Sequence, residues 1–398
     1  MEEMIIRIAA RGDGATASGR HVAGAAPGDV VLADGALRKG PHHAEPACRH
    51  YGQCGGCQLQ HVDDAALATF VGERVAGAAA GQRLVPDVLA PVHLSPRGSR
   101  RRAALHAARV GGAVALGFRE GQSHRLVDIG ECPVLAPELV ALIAPLRRML
   151  ARQDGRLSVE IDMTLADQGV DLALKGLTVE GLARTEAWLA FAREQQLARL
   201  SLDQGYGPES LWEPDGVTIT LGEIAVPLPP GAFLQATADG EAALVGAAVA
   251  WLEGSGVVAD LFSGLGTFAL ALAKAGHKVL AAEADRAAHL ACKGAAARAL
   301  LPVAALHRDL FRNPLLPEEL NRFGAVVLDP PRAGAREQVG RIVASTVARV
   351  VYVSCNPASW ARDAAQLQAA GYRLVELRPV GQFRWSTHVE LASLFVRG

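Results

Sequence analysis

The residues best equipped for covalent chemistry lie near the C-terminus, in Ser354-Cys355-Asn356-Pro357. The apolar run Val350 to Val353 before them reads as a strand, so the Cys355 thiol is lifted off a strand end into the turn before a helix. A glycine turn, Asp260 to Thr267, follows a second apolar strand, and Asp329-Pro330-Pro331-Arg332 ends a third. A nucleophile, a nucleotide-type cofactor loop and an acidic Pro-Pro loop would thus stand at carboxyl ends of strands, where open α/β sheets bind ligands. Glu390 adds a late carboxylate in the apolar stretch Val389 to Val396, where it must be paired, protonated or catalytic. Each has a plainer reading: a packed strand-end cysteine, a satisfied ion pair. Together on one fold they read as an enzyme.

The glycine turn alone is weak evidence. Gly264, Gly266 and Ala269 fit the dinucleotide pattern G-x-G-x-x-A, and Glu283 lies at the distance expected of a residue holding a ribose diol. A dehydrogenase is therefore the first rival. Asp260, Asp309 and Asp329, however, make the rim acidic, which repels a pyrophosphate and suits a cationic, zwitterionic cofactor such as S-adenosylmethionine. Asp309 could also serve as a helix cap.

Cys48, Cys54 and Cys57 crowd one glycine-rich loop and Cys132 lies far downstream in Glu131-Cys132-Pro133. This is not the spread of a disulfide framework. A three-plus-one set of thiolates suits a [4Fe-4S] cluster, zinc more often uses two Cys-x-x-Cys pairs, and inert thiols are the remaining reading. Cys292, in an alanine-rich helical stretch, reads as a small core residue.

The elements that must position these groups follow from the pattern. Residues 4–40 alternate apolar and polar positions between Gly and Pro turns, suggesting a small β module over 1–40. The span 41–229 holds the cysteine loop and an α+β domain, with helices at Pro137–Arg152 and Leu182–Leu197 and strands at Arg156–Leu165 and Val170–Leu174. From 230 to 398 strands alternate with helices: Val257–Phe262, Lys278–Glu283, Val303–His307, Ala325–Asp329 and Arg349–Ser354 as strands, then Arg373–Arg378 and Val389–Val396 joined without a helix. That pattern is an α/β, Rossmann-like parallel sheet with an antiparallel edge.

Forty Lys and Arg balance 41 Asp and Glu, so net charge says nothing about a polyanionic partner. Arg97, Arg100, Arg101 and Arg102 form a run without an acid, either a solvated face or a phosphate-contacting strip. No apolar run reaches the roughly 18 residues of a membrane span, and the start lacks a signal-peptide pattern, so a cytoplasmic protein is expected.

These motifs resemble the bacterial RNA uracil-C5 methyltransferases, and among them the cluster-containing 23S ribosomal RNA branch, over nearly the whole chain. Cys48, Cys54, Cys57 and Cys132 look like its [4Fe-4S] ligands, and Gly231 to Ala236 looks like the segment whose glutamine, here Gln235, meets the cofactor. Asp260, Phe262, Gly264, Gly266, Glu283, Asp309 and Asp329 match its cofactor and substrate loops, Cys355 its nucleophile and Glu390 its base. The resemblance implies a class I methyltransferase domain using S-adenosylmethionine, a monomer, and an N-terminal OB-like (TRAM-type) module. Only about 40 residues precede the cysteine loop, so that barrel is trimmed or short of a strand.

The chemistry accounts for the residue types. Addition of the Cys355 thiolate to uracil C6 makes C5 nucleophilic toward a sulfonium methyl group, and Glu390 then removes the C5 hydrogen so that elimination frees the cysteine. Asp329 would hydrogen-bond the uracil. The base must be splayed from a single-stranded RNA loop into the pocket. A transfer-RNA uracil methyltransferase, an NAD-dependent dehydrogenase and a non-enzymatic iron-sulfur RNA-binding assembly factor are the alternatives.

Overall fold

The computed structural model describes residues 2–121 and 123–398. Its C-terminal sheet runs, from one edge, Val303–His307, Lys278–Glu283, Val257–Leu261, Ala325–Leu328, Arg349–Ser354, Glu390–Arg397 and Tyr372–Gly381. The first five strands are parallel to one another; Glu390–Arg397 runs antiparallel to both of its neighbours. Ala325–Leu328 is buried at every position, as a strand covered on both faces must be, which is why its sequence is a continuous apolar run.

The antiparallel strand has a chemical consequence. Its pairing matches Ser354 with Leu391, so one further step sets Cys355 at the same sheet edge as Glu390. A parallel strand would have carried Glu390 to the opposite edge. On the other side Val380 pairs with Glu390, which brings the loop after Gly381 to the same place.

The sheet recruits residues distant in sequence. Val88–Leu89 and His93–Leu94 pair in parallel with Tyr372–Gly381. The helix Asp64–Gly81, capped by Asp63 on Ala66 N, buries Leu67, Phe70, Val71 and Val75 in the same core as Trp360 and Leu377. The span 41–229, expected as one unit, is therefore divided in its packing, because residues 64–94 pack in the C-terminal core. A two-residue turn joins the short strands Thr218–Leu221 and Ile224–Pro227, and Thr237 caps the helix Ala238–Trp251.

Between these lies a seven-stranded sheet from Arg102 to Trp212, antiparallel except where Gly169–Lys175 meets Arg199–Asp203. Helices Pro137–Ala151 and Leu182–Glu194 pack on it around Trp188. At the N-terminus five antiparallel strands centre on Glu3–Ile8, and four of them have only two or three residues. Buried Asp29 closes this module by accepting from Ala26 N and Gly40 N and pairing with His43.

The arginine run enters the strand Arg102–Val110, and strand alternation divides it. Arg100 and Arg102 face cavities, while Arg101 points into the core, where it donates to Gln235 O and pairs with buried Glu241. Arg101, expected from sequence as an RNA contact, is therefore structural. Replacing Arg101 by Ala should cost about 3–5 kcal/mol by stranding Glu241, whereas Arg11→Ala, at an exposed position, should leave the melting temperature near that of the parent. Equal melting curves for the two variants would show that Arg101 carries no such load.

Candidate active site

The carboxyl ends of the central strands open onto a cavity of about 700 Å3 whose wall includes Arg102, Gln235, Phe262, Gly264, Glu283, Asp309, Asp329, Cys355 and Glu390. It sits where strand order reverses, between Val257–Leu261 and Ala325–Leu328, the switch point at which open α/β sheets bind ligands. At one end Glu283 accepts from Gly264 N at 2.8 Å and Asp285 N at 2.7 Å, so it fixes the glycine turn as well as lining the cavity. Asp309 accepts from Phe311 N and Arg312 N, and Phe311 packs 5.3 Å from the Phe262 ring, leaving an apolar face beside two carboxylates. Phe262 holds φ at 64°, a conformation costly for a non-glycine residue and characteristic of sites where the chain is over-determined.

Two residues of the glycine motif lie behind this wall. Asp260 is fully buried and its Oδ2 accepts from Ala269 N at 2.8 Å, so its carboxylate fastens the first turn of the helix Thr267–Lys274. Gly266 has φ 92°, and a Cβ there would meet Cys292 Sγ at 2.7 Å; glycine is required for helix packing at this point. Neither residue is among those lining the cavity, contrary to a direct cofactor contact by each.

At the other end a chain of side-chain amides links the acids. Gln235 donates to Asp329 at 3.1 Å and accepts from Gln382, and Gln382 donates to Glu390 at 2.8 Å. Gln382 is itself oriented by Ala236 N, which donates to its carbonyl oxygen. Sequence reading missed Gln382, and Phe383 beside it; their one signal was a place in the loop that ends at Glu390. Arg102 lies with its guanidinium 4.6 Å from the centroid of Phe233, an exposed aromatic at the cavity mouth.

Burial governs the electrostatics here. It pushes Asp329 up to about 7, against the Gln235 hydrogen bond, and Asp260 up to about 8, aided by Asp329 and Glu283. Glu390 is raised well above its ordinary value by burial and then by Asp329, with Gln382 and Arg102 opposing. Cys355 is pushed up to about 11 by burial, Glu390 and Asp329, while Arg332 pulls it down. Cys355 therefore rests as a thiol, beside carboxyl groups that burial also raises.

A second cavity, of about 330 Å3, is lined by Cys48, Cys54, Cys57 and Cys132. Burial is the first cause raising Cys48, Cys54 and Cys57, with Cys57 at about 12, and the neighbouring thiols add to each. Gly55 permits the approach: a Cβ there would meet Arg119 O at 2.9 Å. Among the described residues no three His, Cys, Asp or Glu side chains converge closely enough to hold a single metal ion. Phe383 and His388 line both cavities, and Arg100 stacks on Phe383 at 5.4 Å.

A doubly wound sheet with an antiparallel strand beside its last parallel one, and a glycine turn opening onto an acidic cavity, defines an S-adenosylmethionine-dependent methyltransferase. A solved structure of Pyrococcus abyssi tRNA (uracil-54, C5)-methyltransferase, in complex with S-adenosyl-L-homocysteine, shares this fold over 100% of both chains with a TM-score of 0.75 at 23% identity. A family model of tRNA (Uracil-5-)-methyltransferases matches residues 304–397. An uncharacterised RNA methyltransferase of Zymomonas mobilis is 50% identical over 99% of each chain. The 23S rRNA (uracil(1939)-C(5))-methyltransferase RlmD of Edwardsiella ictaluri is 35% identical over 89% of this chain and 82% of its own. The chain belongs to the RNA (uracil-5-)-methyltransferase family and is an RNA methyltransferase of the uracil-C5 type.

The raised groups fix the sign of the pH dependence. Under the sequence expectation of Cys355 as nucleophile and Glu390 as base, the reactive forms are the thiolate and the carboxylate, and both accumulate as pH rises. With Cys355 at about 11, single-turnover methyl transfer should still be climbing through neutral and into alkaline pH, without a descending limb. A bell centred near neutrality would contradict this ionisation scheme.

Proposed function

We propose that this enzyme methylates C5 of a uridine in 23S ribosomal RNA through a covalent adduct on Cys355. The observation that carries the reading is the meeting of Cys355 and Glu390 at one sheet edge, in a cavity that also holds the cofactor-side loops. Glu283, with the Phe262 and Phe311 rings, suits the adenosine end of S-adenosylmethionine, and the acidic wall suits its cationic part. Asp260 and Gly266 contribute indirectly, by holding the turn.

The Cys355 thiolate adds to C6 of the extruded uracil, and the electron pair moves to C5, which takes the methyl group from the sulfonium. C5 then carries both hydrogen and methyl. Glu390 accepts the C5 hydrogen as a proton, the C5–C6 double bond re-forms, and the Cys355 sulfur leaves. Asp329 and Gln235, already joined by a hydrogen bond, face the pocket as the pair that would hold the uracil edge. Arg97, Arg100 and Arg102 are offered to the RNA around it. Both reactive groups come from one chain, so a monomer suffices.

The choice of ribosomal RNA rests on the 35%-identical relative and on the four cysteines. Their arrangement around a cavity fits a [4Fe-4S] cluster better than one tetrahedral ion, whose four thiolates would each lie about 2.3 Å from a common centre. Bound, the cluster supplies four iron–thiolate bonds tying the loop to the Cys132 turn. The five-stranded N-terminal sheet is read as a trimmed OB-like module over 1–40. Unpaired cysteines throughout and an RNA substrate suit the cytoplasm, and among the described residues no helix is long and apolar enough to cross a membrane.

Glu390→Gln should permit addition and methyl transfer but block proton removal, leaving methylated RNA attached to Cys355 and resistant to denaturing electrophoresis. The adduct should vanish when Cys355→Ala is combined with it. Methylated uracil formed by Cys355→Ala alone would defeat the covalent scheme, and methyl label appearing in transfer RNA but not in 23S RNA would redirect the substrate.

For the cysteines, anaerobically purified protein should be brown, with iron and acid-labile sulfide in equal amounts, and Cys57→Ser should bleach it. Colourless protein with stoichiometric zinc would overturn the cluster.

A further inference from the structure

The side-chain amides between the catalytic acids form a chain whose direction is set by a backbone group. Ala236 N–H donates to Gln382 Oε1 at 2.9 Å, and a peptide N–H, unlike a side-chain amide, cannot be turned round. Gln382 Nε2 therefore points the other way, and both of its hydrogens are used, on Gln235 Oε1 and on Glu390 Oε2, each at 2.8 Å. Gln235 is oriented in turn. With its carbonyl oxygen held by Gln382, its Nε2 donates to Asp329 Oδ2 at 3.1 Å, and the second hydrogen of that nitrogen has no acceptor among the described residues.

The seat of this chain is tight. Gln235 and Gln382 are 3% and 1% exposed. The carbonyls of Gln235 and Ala236 accept from Arg101 Nε and Arg101 N, so the structural arginine also holds the backbone from which the chain starts. Gly240, in the first turn of the helix Ala238–Trp251, leaves the room Gln382 needs: a Cβ there would meet Gln382 Cβ at 2.9 Å. Neither amide can exchange its oxygen and nitrogen without breaking hydrogen bonds at both ends, and in a dry site those losses are not made good by water.

We propose that Gln382 determines the selection of uracil over cytosine, by holding Gln235 with an N–H donor toward the exocyclic 4-position of the target base. The inference rests on the uracil-methyltransferase reading of the catalytic cavity. C5 must face the methyl donor and C6 the Cys355 sulfur, which leaves N3 and the 4-substituent for Asp329 and Gln235. Uracil offers an N3–H donor beside an O4 acceptor, whereas cytosine offers an N3 acceptor beside an amino donor. Asp329 alone is an ambiguous reader, because burial raises its carboxyl to about 7 and near neutrality it both donates and accepts. A locked amide donates at every pH. Against O4 the spare Gln235 N–H makes a hydrogen bond; against the cytosine amino group two donors meet and both are left unpaired away from water. The same polarity serves the reaction. When the Cys355 thiolate adds to C6, the C5–C6 electron pair moves between C4 and C5 and the carbonyl pair moves onto O4, where an N–H already aimed at that oxygen stabilises the enolate. C5 then takes the methyl group as the O4 carbonyl re-forms. Gln382 is a positioning residue, acting through Gln235.

The test uses the full-length protein and an RNA that the parent enzyme methylates, prepared with uridine, cytidine or the ribonucleoside of pyrimidin-2-one at the target position. Affinities are measured with S-adenosylhomocysteine present and Cys355→Ala in place, so that no adduct forms. The uridine RNA should bind about tenfold more tightly than the cytidine RNA. The pyrimidinone RNA should fall between them, since it shares the bare N3 of cytosine and lacks only the amino group. Adding Gln382→Met keeps the side-chain length but frees Gln235 to turn, and should collapse the tenfold ratio toward one. A merely structural loss would weaken both RNAs alike and leave their ratio unchanged. Should Gln382→Met fold poorly, the comparison of cytidine with pyrimidinone needs no change in the amide chain. Equal affinity for those two RNAs, or a parental uridine-to-cytidine ratio in folded Gln382→Met, would overturn the inference. Failure of the unsubstituted enzyme to methylate any uridine would instead strike the underlying reading.

Discussion

Three carboxyl groups share the dry edge of one sheet, and the rest of the site is arranged around that constraint. Asp260 and Glu390 are 0% and 2% exposed, Asp329 is half-buried on the cavity wall, and among the described residues no guanidinium pairs directly with any of them. Charges so placed cannot all ionise, and the upward shifts of all three express this. Gln235 and Gln382 answer the problem with neutral donors, which stabilise a carboxylate without importing a fixed cation that would exclude a cationic cofactor. The sign of the linkage follows: carboxyls raised to about 7 and about 8 favour the folded state below the ordinary carboxylate range, and that favour drains away as pH rises through those values. A bound sulfonium and ammonium favour the ionised forms, so cofactor binding replaces the lost protons as the compensating positive charge.

That electrostatic arrangement depends on a backbone device. Parallel strands deliver Asp260, Asp329 and Cys355 to one edge because each ends there, but a fourth reactive group needs another source. The antiparallel strand Glu390–Arg397 supplies it by beginning where the others end. Its preceding loop, rooted in Tyr372–Gly381, then necessarily crosses the same edge and carries Gln382 to Glu390 and to Gln235, which in turn donates to Asp329.

Much of this was legible in the sequence where local pattern coincides with tertiary role. Lys278–Glu283, Val303–His307 and Arg349–Ser354 read directly because buried parallel strands are short apolar runs between helices. Cys355 was visible because its thiol stands at a strand end, and the cysteine group because three thiols in one loop have few other uses. Arg101 was misread because a charge run was treated as one surface when strand alternation sends its middle member inward. Asp260 was credited with a ligand contact that sequence spacing cannot distinguish from the helix-start bond it makes. Gln382 and the capture of Val88–Leu89 by Tyr372–Gly381 depend on pairings across the fold that carry no local signature.

The cysteine loop is anchored to the catalytic edge at Trp385 and, through Gln58, at Thr387. Trp385, buried and held at φ 60°, lies between the guanidiniums of Arg97 and Arg384, at 4.8 and 4.9 Å from its ring centroid. Its carbonyl accepts from both Gln58 N and Leu59 N, the residues immediately after Cys57, while Arg384 reaches Ser95 O and Asp64 on the helix Asp64–Gly81. Three segments, the cysteine loop, the arginine run and the Asp64 helix, therefore converge on the loop between Gln382 and Glu390. Cation–π stacking on two faces and a doubly accepting carbonyl offset the backbone strain that a left-handed tryptophan incurs. With Phe383 and His388 lining both cavities, whatever fixes the cysteines also fixes one wall of the catalytic cavity. The cysteine site can thus bear on catalysis through position alone, with no electron transfer required of it.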